Sequence, residues 1–63
     1  MRAWLRNIRN GESQRLIAKN AGITQQMYSK IERGERTPSV DVAKKVAVVL
    51  GFDWTRFYDD EAI

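Results

Sequence analysis

Residues 13–34 read SQRLIAKNAGITQQMYSKIERG, two short amphipathic segments joined at a glycine. Ser13 is a good N-cap, because its hydroxyl accepts from a first-turn N–H that has no partner within the helix. The helix it opens runs to about Ala21 and buries Leu16 or Ile17, with Ala18 and Ala21 at helical spacing. Gly22 stands where that helix ends. Thr24 caps a following helix that runs to about Arg33. At 100° per residue, Thr24, Met27, Tyr28 and Ile31 fall on one side of this helix. Gln25, Gln26, Ser29, Lys30 and Arg33 fall on the other. That second face has no apolar residue to bury and no acid to repel a phosphate.

Working outward, the same punctuation divides the rest of the chain. Gly11, Gly34 and Gly51 each follow a helix-compatible stretch, and the lone proline, Pro38, precedes a Ser-led run. A first helix is expected from about Ala3 to Asn10, with Trp4, Leu5 and Ile8 inward. Ser39 caps a fourth, in which Val40, Ala43, Val46, Ala47 and Leu50 recur at three- and four-residue spacing. Asp53 caps a last short turn carrying Trp54, Phe57 and Tyr58. No alternating β-branched segment bounded by turn residues reads as a strand. The pattern implies a compact all-α fold of five helices in a single domain, residues 1–63.

Composition narrows the chemistry. A chain of 63 residues builds one small core. Cysteine and histidine are both absent, which removes disulfides, thiolate metal sites and imidazole catalysis. No catalytic residue, metal site or cofactor is therefore expected, and the chain does not read as an enzyme. The acidic run Asp59-Asp60-Glu61 reads as a solvated end rather than a metal site. The first ten residues carry three arginines with no apolar run after them, so no secretory signal is visible. The longest apolar run, Val46 to Leu50, is too short for a bilayer, so a cytoplasmic protein without a membrane partner is expected. The net charge of +3 is uneven: residues 1–36 carry eight Lys/Arg against three Glu, and residues 37–63 carry three against five acids. A local cationic excess of that kind suits a phosphate-bearing partner.

The stretch Ser13 to Ser39 resembles the Cro/repressor-type helix-turn-helix family of phage-repressor-like and xenobiotic-response-element-type transcriptional regulators. The matching positions are Ser13-Gln14, Ile17-Ala18, Ala21-Gly22-Ile23, Tyr28-Ser29, Ile31-Glu32-Arg33-Gly34 and Pro38-Ser39. Leu5, Ile8 and Arg9 match in the first helix, as does Leu50-Gly51 before Phe52-Asp53-Trp54. The resemblance implies a lambda-repressor-like domain whose helix-turn-helix spans about residues 13–34. Ala18 is small where two helices cross, and Gly22 permits a left-handed bend. Ile23 plugs the turn into the core. Two departures stand out: only three residues separate Arg9 from Ser13, and Glu12 occupies a usually apolar position.

The resemblance makes the third helix a major-groove reader. A glutamine amide carries a donor beside an acceptor, which matches the N7 and N6 edge of adenine, with guanine also open to it. Gln25 is the first candidate for base contact and Gln26 the second, with Lys30 and Ser29 beside them. Gln14, at the start of the second helix, is implied as a phosphate contact that also braces Gln25. Thr24, Arg33, Arg36 and Ser39 are further phosphate candidates, and Glu35 is expected to point away from DNA. The family also implies an ion pair between Arg9 and Glu32, shielded from water.

Phe57 and Tyr58 are candidates for a dimer interface, with Trp54 in the core and the acidic tail on the side away from DNA. The function so implied is a sequence-specific double-stranded DNA-binding regulator, a homodimeric repressor on a pseudo-palindromic operator, with no small-molecule ligand evident. The competing reading is an antitoxin-like module whose main partner is another protein. The polar, cationic face of the third helix counts against that as a sole role, because partner grooves favour apolar anchors.

Overall fold

The computed structural model describes residues 1–59. It holds five helices, α1 (Ala3–Arg9), α2 (Gln14–Ala21), α3 (Gln25–Glu32), α4 (Val40–Leu50) and α5 (Arg56–Asp59), and no strand among the described residues. The last residues of the chain, including Asp60 and Glu61 of the acidic run, lie outside that range.

The caps set the boundaries. Ser13, Thr24 and Ser39 each accept a hydrogen bond from the backbone N–H three residues on, at 3.3, 3.0 and 3.3 Å. Each satisfies a donor that the helix leaves without a partner. Gly22 ends α2 at φ 72°, and the next amide, Ile23, donates back to the Ala18 carbonyl at 3.0 Å. A β-carbon at Gly22 would be strained in that left-handed conformation. The short first connection is closed differently. Asn10 itself turns left-handed at φ 50°, one of the few non-glycine residues that adopt that region readily, and Gly11 follows in the same region.

α2 packs on both α3 and α4, and α1 meets α3. Leu5, Ile17, Ala18, Ala21, Tyr28, Ile31, Ala43, Val46 and Phe57 form the buried cluster. Between Leu16 and Ile17 the burial decides for Ile17, while Leu16 is 46% exposed. Val40 also stands outward, at the first turn of α4. Trp4, Phe52 and Phe57 pack edge to face with centroids 5.3 to 5.4 Å apart, which favours their ring quadrupoles as well as burying area.

One expectation is corrected here. Phe57, a candidate for the dimer surface, is 0% exposed, so it offers a second copy nothing to touch. Its ring packs between Trp4 and Phe52, which makes it part of the core rather than of a surface. Tyr58 is half-buried, and its hydroxyl donates to the Pro38 carbonyl at 2.8 Å. Trp54 is likewise half-buried, edge-on to Tyr58.

Candidate nucleic-acid interface

α3 divides its residues sharply. Tyr28 and Ile31 are fully buried, and Met27 is packed against the same core. Opposite them Gln25, Gln26, Ser29, Lys30 and Arg33, together with Gln14 from α2, line one shallow open concavity of about 480 Å³. Six side chains that can donate hydrogen bonds therefore converge on a single surface, and no carboxylate lines it. The two glutamines occupy the first turn of α3 and are exposed. Their amides are supported from below by a helix end held through Thr24 and by the apolar residues of the next turn.

Of the phosphate candidates, Gln14 and Arg33 line the concavity itself, while Thr24 and Ser39 stand at helix starts: Thr24 accepts from Met27 through its hydroxyl oxygen, and Ser39 accepts from Val42. Capping uses the acceptor, so each hydroxyl proton remains able to donate to an anion. Arg33 and Arg36 are exposed at the end of α3 and in the loop that follows. Arg33 is held at 2.7 Å by Glu35, with both side chains about half exposed. Glu35 thus lies beside one of the arginines proposed for phosphate contact and partly neutralises it.

Gln14 is oriented by a deeper group. Its Nε2 donates to Glu32 Oε1 at 3.2 Å, and no hydrogen bond joins it to Gln25. Glu32 is in turn gripped by Arg9 in a two-point fork, Nε to Oε2 and Nη2 to Oε1, both 2.9 Å. Arg9 Nη1 also donates to the Glu12 carbonyl, tying the α1–α2 turn into the same network. Burial alone would raise the Glu32 carboxyl. The hydrogen bonds and charge of Arg9, with a hydrogen bond from Gln14, outweigh it and hold the group below the usual carboxylate range. Burial, and then the Glu32 charge, push the Tyr28 phenol well above its ordinary value. The network therefore fixes the relation between α1, the start of α2 and the end of α3.

Sequence reasoning assigned no role to Arg2. The structure buries it to 7% exposure, with its Nη1 on the carbonyls of Ile31 and Arg36 at 2.6 and 3.2 Å. Nothing in the sequence separates it from the other arginines, since these acceptors lie far along the chain, at the end of α3 and in the loop after it. Among the described residues there is no cluster of acids that could hold a metal ion, and no helix is long and apolar enough to cross a membrane.

The helix-turn-helix family profile matches residues 3–57. The HTH-type transcriptional regulator YqaF of Bacillus subtilis is 48% identical over 62 residues, covering 95% of this chain and 82% of that protein. SlrR, an HTH-type transcriptional regulator of the same organism, is 39% identical over 56 residues, covering 87% of this chain and 37% of that protein. No solved structure matches the chain.

Proposed function

The chain belongs to the Cro/repressor-type helix-turn-helix family, and from that premise we propose that it is a sequence-specific regulator of transcription that reads double-stranded DNA with α3. The observation that carries this reading is the outer face of α3: Gln25, Gln26, Ser29, Lys30 and Arg33 converge with Gln14 on one acid-free surface. A polar surface of that kind has little to offer an apolar partner and much to offer base edges and phosphates.

In this reading Gln25 and Gln26 contact base edges, with Lys30 and Ser29 extending the contact along the groove. Gln14, Thr24, Arg33, Arg36 and Ser39 hold the phosphate backbone on either side. The protein acts as a cytoplasmic repressor, without enzymatic activity, and binds as a homodimer to a pseudo-palindromic operator whose half-sites lie about 34–36 Å apart. Since Phe57 is enclosed, the half-buried Tyr58 is the remaining one of the two aromatic candidates for contact with a second copy. Regulators among its relatives support the assignment to transcription.

Selection of bound sequences from a random duplex pool tests the proposal. Recovery of a two-fold motif, with binding that weakens steeply as salt rises, is the expected result. Failure to retain any duplex at low salt would sink it.

A further inference from the structure

α3 ends beside the N-terminal segment of the chain. The backbone N–H of Arg2 donates to the Glu32 carbonyl at 2.8 Å, and its guanidinium donates to the Ile31 carbonyl at 2.6 Å. These are last-turn carbonyls, which have no partner within the helix, and a cation there also faces the negative end of the helix dipole. The same Nη1 reaches on to the Arg36 carbonyl at 3.2 Å. Behind it the guanidinium carbon stands 5.8 Å from the centre of the Phe57 ring, in cation–π range. One buried side chain thus joins the end of α3, the far side of the α3–α4 loop and the core of α5.

The loop has little room to take another path on that side. Gly34 adopts φ +79°, and a β-carbon there would lie 3.3 Å from the Met1 backbone nitrogen. The chain before α1 therefore runs directly against the loop. Beyond Arg36, the Pro38 carbonyl is held separately by Tyr58. Arg36, whose carbonyl carries the first of those ties, is itself an exposed cation of the loop, so the tie bears directly on where that charge points.

We propose that Arg2 is a positioning residue for DNA binding, setting the path of the Gly34–Arg36 loop so that Arg33 and Arg36 face a phosphate. The proposal rests on the reading of α3 as the DNA-binding helix. It assigns Arg2 no contact with DNA, because the side chain is buried beneath the loop. Gln25 and Gln26 sit at the opposite end of α3 and take their support from Thr24 and α2. Arg2 therefore governs backbone affinity and leaves base preference alone.

The test is a double-variant cycle read by salt titration, on the full chain and well below its melting temperature. Arg2→Met is made alone and in an Arg33→Gln/Arg36→Gln background, with Arg2→Lys as the conservative variant. In the wild-type background, Arg2→Met is expected to weaken duplex binding about tenfold and to flatten the log K against log salt slope by about one phosphate's worth. The motif selected from a random pool stays the same. In the background lacking both loop arginines the same change has almost no further effect, since the groups it aims are gone. Arg2→Lys, which keeps a cation at the helix end but lacks the planar guanidinium that faces the Phe57 ring, falls between wild type and Arg2→Met. It serves as the measured variant if Arg2→Met fails to fold.

Two results overturn the proposal. One is a loss of affinity equal to the unfolded fraction, with the wild-type salt slope, which makes Arg2 merely structural. The other is an effect of Arg2→Met that is fully retained without Arg33 and Arg36. Failure of the wild-type chain itself to bind DNA would instead remove the reading of α3, so the two failures are distinguishable.

Discussion

At its N-terminal end α3 is capped by the Thr24 hydroxyl and backed by apolar contacts, and Gln25 and Gln26 stand in water in front of it. At its C-terminal end Glu32 is 3% exposed, forked by Arg9, with Arg2 donating to the last carbonyls. One helix is thus held by apolar packing where it offers side chains outward, and by buried charge where it must not shift. The difference has a physical basis. Apolar packing on one side leaves the amides opposite free to choose their partners. A two-point fork between a guanidinium and a carboxylate fixes orientation as well as distance. The cost is that the anchored end depends on both charges being present.

The largest effect should follow from breaking that anchor. Removing one partner of a buried pair leaves the other charge behind without compensation, at a cost of about 3–5 kcal/mol. Glu32→Ala is expected to lose most of the stability of a domain this small, by thermal melting followed by circular dichroism. A melting temperature within a few degrees of wild type would show that the pair contributes no more than a surface bridge does. The pH dependence follows from the same group. Its carboxyl is held below the ordinary range in the folded state. Its contribution is therefore present above the unfolded-state value, about 4.3, and is lost as pH falls through the depressed folded value. Melting temperature should drop in wild type across the acid window that opens as pH falls below about 4.3. Glu32→Gln, already destabilised, should show a shallower drop across that window.

Changes at the reading end should spare stability and alter preference instead. Gln25→Ala is expected to reduce discrimination at one base position per half-site by roughly 1–3 kcal/mol, with folding changed by less than about 0.5 kcal/mol. Comparing motifs selected by wild type and variant checks it. An unchanged motif would remove Gln25 as a base reader. The contrast sharpens if Glu32→Gln, still folded at low temperature, selects the wild-type motif at lower affinity. That outcome would place specificity at one end of α3 and its anchoring at the other.

Much of this division was legible in the sequence. Ser13, Thr24 and Ser39 named the starts of three helices because a hydroxyl before an amphipathic run has one local job. The spacing of Met27, Tyr28 and Ile31 gave the buried side of α3, and with it the outer face. Two features were not legible, each for a definite reason. Burial of Arg2 depends on carbonyls about thirty residues away, and no local pattern marks one arginine among several as the one they will attract. The exchange of Phe57 from surface to core arises in a helix of four residues, too short for periodicity to assign a face. What Phe57 touches was decided by Trp4 and Phe52, from elsewhere in the chain.

A smaller effect tests the cap. Thr24→Ala removes the acceptor for the Met27 amide and is expected to cost about 1 kcal/mol of stability, read from urea unfolding. Loss of its hydroxyl also removes one proposed phosphate contact, so binding should weaken somewhat more than stability alone accounts for.

The smallest stability change comes at the surface pair beside the anchor. Arg33 and Glu35 are about half exposed, and such a bridge contributes roughly 0–1 kcal/mol. Glu35→Gln should therefore leave the melting temperature nearly unchanged. Its effect on binding runs the other way, because it frees Arg33 from a competing anion. Affinity for duplex DNA is expected to rise a few-fold at low salt, with the gain fading as the Debye length falls to about 8 Å near physiological ionic strength. A drop in affinity would mean instead that Glu35 holds Arg33 in the orientation that binding requires. The pair would then belong with Arg9–Glu32 as part of the anchored end, rather than with the exposed contacts that α3 leaves free.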